Sequence, residues 1–197
     1  MSTSDVILQF LQQPVNLATA YDVRDWLRDV ERYVFETFWS NVREQLEEGI
    51  AELACHEKWQ VFVSASLFAG TGSYIAIAPR GAHQEELCGG DQRCYSVTAQ
   101  QFGGESGSCY FGIYRGERKH DELDQAMKAD GFRPNEYWSG YRYFRSLNLP
   151  DFCLSRQDVV RLNADNQMAG HPVARSVTAQ MLALLKKHRL RLEQLNA

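Results

Sequence analysis

Few of the features that disclose a protein's chemistry occur in this sequence of 197 residues. It has no run of about 18 apolar residues, so no membrane-spanning helix is expected. The first ten residues carry Asp5 and no basic stretch, which argues against a secretory signal and makes the cytosol the expected compartment. There is no G-x-S-x-G turn for a serine nucleophile. Cys55 and His56 are chain neighbours at the end of a helical pattern, so their side chains would diverge by about 100° rather than meet. The glycines at 70, 72, 103, 104 and 107 fall between expected antiparallel strands and lead into no helix, so no phosphate cradle is expected. Paired zinc ligands are missing too. Five residues separate Cys88 from Cys94, and His83 and Cys109 supply no second close pair. No metal or cofactor is therefore expected. Positive charge is in short supply, with 21 Lys and Arg against 25 Asp and Glu, a net charge of −4 and a pI near 5.7. That balance disfavours duplex nucleic acid as a partner, because phosphate neutralisation supplies most of such affinity. The five cysteines are odd in number, and free thiols are the default in a reducing compartment.

What is present describes an ordinary folded domain. Hydrophobic residues make up 44% and charged residues 23%, enough for a real core and too apolar for disorder. The strongest signal is helical. From Tyr21 to Ala54 the apolar residues Trp26, Val30, Tyr33, Val34, Phe38, Val42, Leu46, Ile50 and Leu53 recur at steps of about three and four. Arg24, Arg28, Glu31, Arg32, Glu36, Arg43, Glu44, Glu47 and Glu48 fill the other side. Gly49 is the weak point, at about 1 kcal/mol against alanine. About 34 residues at 1.5 Å each span roughly 50 Å, more than a small domain is wide. Such a helix either crosses the whole domain, breaks near Gly49, or projects toward a partner. A shorter helix is expected over residues 4–13, ended by Pro14. Thr19 stands before the long one.

Apolar, β-branched runs at Trp59–Phe68 and Ser73–Ala78 predict a hairpin, and strands at Cys94–Thr98 and Cys109–Tyr114 extend it. A short helix over residues 120–129 closes at Gly131. The aromatic stretch 132–150 reads as irregular. Ser155 and Asp158 start a helix through Leu162, and Pro172–Leu195 makes a second long amphipathic helix. No repeat or linker divides the chain. The expectation is one α+β domain, residues 1–197, with 1–18 a mobile N-terminal helix. Its core is a four-stranded antiparallel sheet packed by two long helices, 20–54 and 172–195, with short helices added.

Two segments hold candidate chemistry. Glu117-Arg118-Lys119 follows the fourth strand, and a Glu-x-Lys with Asp91 or Glu105 upstream is a metal-nuclease arrangement in miniature. The competing reading is a solvated turn ending in the helix cap at Asp121. The second segment is richer. Phe132, Tyr137, Trp138, Tyr141, Tyr143 and Phe144 interleave with Arg133, Arg142 and Arg145. Aromatics with arginines suit a protein-interface hot spot or a base-stacking surface, and equally a core that plugs the sheet edge. Trp138, Tyr141, Arg142, Tyr143 and Arg145 are the candidate binding residues.

The succession FWSNVREQLEEGI, WQVFVS, YIAIAP, CYFGIYRG and YWSGYRYF, over about residues 35–144, resembles a region C-terminal to the nuclease core in some bacterial PD-(D/E)xK nuclease-superfamily proteins. The catalytic core and its Asp…(Asp/Glu)-x-Lys set are missing upstream. The resemblance thus implies an accessory region standing alone, acting by binding in bacterial defence or counter-defence against phage, and assigns no functional residue. Three functions are therefore expected candidates. The first is a non-catalytic module that binds another protein, or itself through the long helix. The second is a divergent metal-dependent nuclease using Glu117 and Lys119. The third is a small-ligand or nucleotide sensor whose 79–93 loop covers a pocket.

Overall fold

The computed structural model describes residues 3–64, 73–82, 94–102, 108–144 and 156–197. These form five helices and five strands. Helix α1 is Thr3–Leu11 and α2 is Pro14–Glu52. Strands β1 (Trp59–Val63), β2 (Ser73–Pro79), β3 (Ser96–Phe102) and β4 (Ser108–Tyr114) precede helix α3 (Asp121–Ala129). Strand β5 (Trp138–Tyr143) and helices α4 (Arg156–Gln167) and α5 (Pro172–Leu195) complete the order.

The architecture is α+β as expected, with one strand more than expected. The sheet is an antiparallel meander, β1-β2-β3-β4-β5. The segment expected to be irregular supplies the fifth strand, which pairs Tyr110 with Tyr143 and Gly112 with Tyr141. The short helix ends before Pro14 as expected, at Leu11, but Pro14 also opens α2, because its fixed φ and missing N–H suit a first helical turn. Thr19 is therefore inside α2, its hydroxyl donating to the Val15 carbonyl at 3.0 Å. The long helix is 39 residues, neither starting at residue 20 nor breaking at Gly49.

One face of the sheet carries the core. Ile75, Ala99 and Phe111 lie across from one another, as do Ile77, Val97 and Ile113. All six are buried against Phe38, Val42 and Leu46 of α2, Val177, Met181 and Leu185 of α5, and Leu123 and Met127 of α3. Each such Val, Ile, Leu, Met or Phe side chain contributes about 1.5–3 kcal/mol of transfer free energy. Gly49 lets α2 and α5 approach, since a Cβ there would lie 2.1 Å from Leu182 Cδ1.

Both long helices are closed by local devices. At the C-terminus of α2, Ala54 takes a left-handed φ of 51°, so that Cys55 N–H reaches the Ile50 carbonyl at 3.0 Å and Ala54 N–H the Ala51 carbonyl at 3.0 Å. At the N-terminus of α5 the cap comes from α4. The buried Asp165 carboxylate accepts from Val173 N–H (2.7 Å) and Ala174 N–H (3.2 Å).

Two substitutions test this account by denaturant unfolding. Gly112→Ala places a Cβ 1.9 Å from the Gly140 carbonyl oxygen of the neighbouring strand and should cost about 3 kcal/mol. Ala54→Gly removes a left-handed strain and should stabilise by about 0.5–1 kcal/mol.

Candidate functional site

The turn carrying Glu117 and Lys119 is built around a buried arginine. Arg115 is 2% exposed and donates to the carbonyls of Arg118 (2.8 Å) and Asn135 (2.9 Å), with Asp124 at 3.5 Å. This staples the end of β4 to α3 and to the approach of β5. Glu117 and Lys119 are exposed at its tip. Asp91 and Glu105 lie outside the described residues, and among those described no three His, Cys, Asp or Glu side chains converge as a metal site would require. Cys55, Cys94 and Cys109 are buried thiols, while His83 and Cys88 are outside the described residues.

The aromatic segment is split by the strand that it forms. Trp138, Tyr141 and Tyr143 lie on the sheet face opposite the helices, together with Tyr110 and Tyr114 of β4. They meet edge-to-face, Trp138 to Tyr114 at 5.0 Å and to Tyr110 at 5.2 Å, and Tyr141 to Tyr143 at 5.7 Å. Trp138 is 3% exposed and thus interior; Tyr141 and Tyr143 are half-buried. Burial pushes the phenols of Tyr110 and Tyr141 above their ordinary range, so both stay neutral. Arg142 points to the other face. Its guanidinium lies over the Phe132 ring at 4.6 Å and donates to the Asp130 carbonyl at 2.6 Å, holding the C-terminus of α3. Arg145 lies outside the described residues. The strand therefore brings Trp138, Tyr141 and Tyr143 together and separates Arg142 from them.

The largest anomaly is in the N-terminal arm, α1 together with the first half of α2. Burial in α2 begins at Val34. Before it Trp26, Val30 and Tyr33 are 69%, 52% and 66% exposed. The apolar residues of α1 do not cover them, because α1 has no buried residue, and Val6, Ile7, Leu8 and Phe10 are themselves exposed. Sequence reasoning named Trp26, Val30 and Tyr33 but passed over Val15, Leu17, Val23 and Leu27, which are exposed beside them. No protein-family model matches the chain, and no curated protein or solved structure matches it either.

A polar cluster joins α3 to α5 under Arg142. Asp130 accepts from Lys187 Nζ at 2.5 Å and pairs with His188 Nε2 at 3.2 Å. The Lys187 hydrogen bond holds the Asp130 carboxyl below the usual carboxylate range. Burial holds His188 below its ordinary value of 6.5, outweighing the carboxylate beside it. Both groups bind fewer protons folded than unfolded, so each contributes stability above its unfolded pKa that is lost as pH falls. The melting temperature should decline below about pH 6.5 through His188 and again below about pH 4 through Asp130. His188→Gln keeps a donor for Asp130 and should flatten the upper decline alone; an unchanged profile in this variant rejects the assignment.

Proposed function

We propose that this protein works by binding another polypeptide through the arm Thr3–Tyr33, with no catalysis at the contact. One observation carries the reading. Among the described residues, twelve of the sixteen exposed large hydrophobic side chains fall in this arm. Monomeric proteins rarely expose contiguous apolar patches beyond a few hundred Å2. The chemistry of the arm selects a protein as its occupant. Its charges are Asp5, Asp22, Asp25, Asp29 and Glu31 against Arg24, Arg28 and Arg32, with no lysine. An acidic excess of this kind suits neither a phosphate backbone nor an anionic lipid surface.

The arm is also pre-shaped for the task. Its α2 part, from Pro14, continues without a break into the helix that anchors the core, so little ordering of that part is left to pay on docking. The tyrosines at 110, 141 and 143 offer a second, flatter contact of rigid amphipathic rings. The nuclease and sensor readings depend on Asp91, Glu105 and the 83–93 segment, which lie outside the described residues, and no observation favours them. A role in conflict between phage and host is supported by the sequence resemblance alone.

Affinity purification with the tagged protein, from cells that express it naturally, tests the reading. Wild-type chain should retain a polypeptide that the Trp26→Glu, Leu27→Glu variant loses, with the two proteins matched in melting temperature. Identical eluates would sink the proposal.

A further inference from the structure

The arm's own pattern narrows what it binds, granted that the arm is a contact surface as proposed above. Val23, Trp26, Val30 and Tyr33 alternate steps of three and four, the seven-residue spacing by which one helix meets another along a seam. Thr19 and Thr37 extend the spacing at either end. The four apolar residues are between 46% and 69% exposed. A seam of this form is filled by a helix with the same form, and a second copy supplies one.

Size complementarity fixes the direction. In an antiparallel pair the layers of a heptad seam alternate, so Trp26 of each copy faces Val30 of the other, and Tyr33 faces Val23. Each aromatic meets a valine. A parallel pair would stack Trp26 on Trp26 and Val23 on Val23, crowding one layer and leaving the next underfilled. Leu27 and Ala20 flank the seam on one side and Asp22 and Asp29 on the other. Arg32 holds Asp29 at 2.9 Å and Glu36 at 3.9 Å, so one positive charge offsets part of that flank and leaves it acidic.

The four seam side chains expose on the order of 500 Å2 per copy, and the flanking and α1 residues carry the contact toward the roughly 800 Å2 per partner of a standard interface. Pairing also accounts for α1. Nine residues with none buried are shorter than the ~12–15 that an isolated helix needs in water. In the antiparallel arrangement, with Trp26 facing Val30, the point where one copy's α2 enters its core, Val34, lies opposite Asp22 of the other, and α1 extends past it along the partner. We infer that two copies of this chain pair antiparallel through their arms, with Val23, Trp26, Val30 and Tyr33 as the seam.

Sedimentation equilibrium of the full chain at about 10–100 µM tests this, the range in which a micromolar dimer is resolved. Wild type should be a dimer. Val23→Glu, Val30→Glu should weaken it by about 100-fold or more, because each charge is buried without a partner, while thermal unfolding of the body is unchanged. The wild-type dimer should also hold or tighten between about 0.05 and 0.5 M salt, since the acidic flanks face each other. A dimer that survives the double variant overturns the assigned seam. A wild-type monomer overturns self-pairing altogether. If that monomer still retains a cellular polypeptide that the double variant loses, the arm binds a different chain and only the occupant is wrong. If it retains none, the binding reading falls with it.

Discussion

Burial of a single helical stripe, Val34 to Ile50, is the constraint on which the rest of this protein depends. Val34, Phe38, Val42, Leu46 and Ile50 are each at most 2% exposed and succeed one another at steps of four. Each step advances about 40° around the helix, so the stripe slants across the sheet rather than running along one edge. That slant gives α5 its place, with Gly49 as the point of nearest approach to Leu182. It also fixes the floor on which β2, β3 and β4 lay their inward residues. The caps at both ends matter because of it. The left-handed Ala54 turns the chain out of α2 toward β1, and Asp165 satisfies the first N–H groups of α5 in a setting where water could not.

The sequence made the elements easier to read than their edges. Period alone was enough for α2 and α5, since packing on one face requires steps of three and four whatever the partner. Pro14 was half read: α1 stops before it as expected, but a proline that stops one helix also suits the first turn of the next, and that second part was missed. The fifth strand was missed for a different reason. Trp138–Tyr143 does alternate, with Tyr141 and Tyr143 on one face and Gly140 and Arg142 on the other. Yet its inward residues are a glycine and an arginine, so the hydrophobic signal of a strand is absent on the side that faces the core. Gly140 is small because Met127 and Phe132 Cβ atoms would lie 2.7 and 2.8 Å from any side chain there.

The same logic explains how the candidate site was partly legible. An interleaved Arg/aromatic run reads as one surface in sequence, but a strand sends neighbours to opposite faces. Arg142 thus serves α3, while the tyrosines beside it share a face with Tyr110. Arg115 was invisible as a structural residue because a buried guanidinium looks, in sequence, like part of a charged turn. Its three protein partners are backbone carbonyls and a carboxylate brought from α3 and the β5 approach. Through these contacts the guanidinium holds the turn together, although its buried Nε is left without a hydrogen-bond partner. The exposed Glu117 and Lys119 are the outward remainder of that construction.

Among the described residues, the arm is where exposed apolar side chains concentrate. A body held by the Val34–Ile50 stripe has no need of the residues before it. They add about 30 Å of helix, a second short helix and a dozen exposed apolar side chains, each with a solvation cost. The two stripes of α2 obey different rules: steps of four where the helix lies on a sheet, and alternating steps of three and four where it stands alone. A slanting stripe fits a broad surface, whereas the stripe that holds its bearing from Val23 to Tyr33 fits a single rod. The change of rule at Val34 therefore marks where the chain stops serving its own core. Since α2 is one continuous helix from Pro14 to Glu52, a polypeptide bound on the arm, as proposed, would be held in fixed relation to the tyrosine face of the sheet. On that proposal, contact at one end of the helix positions the other.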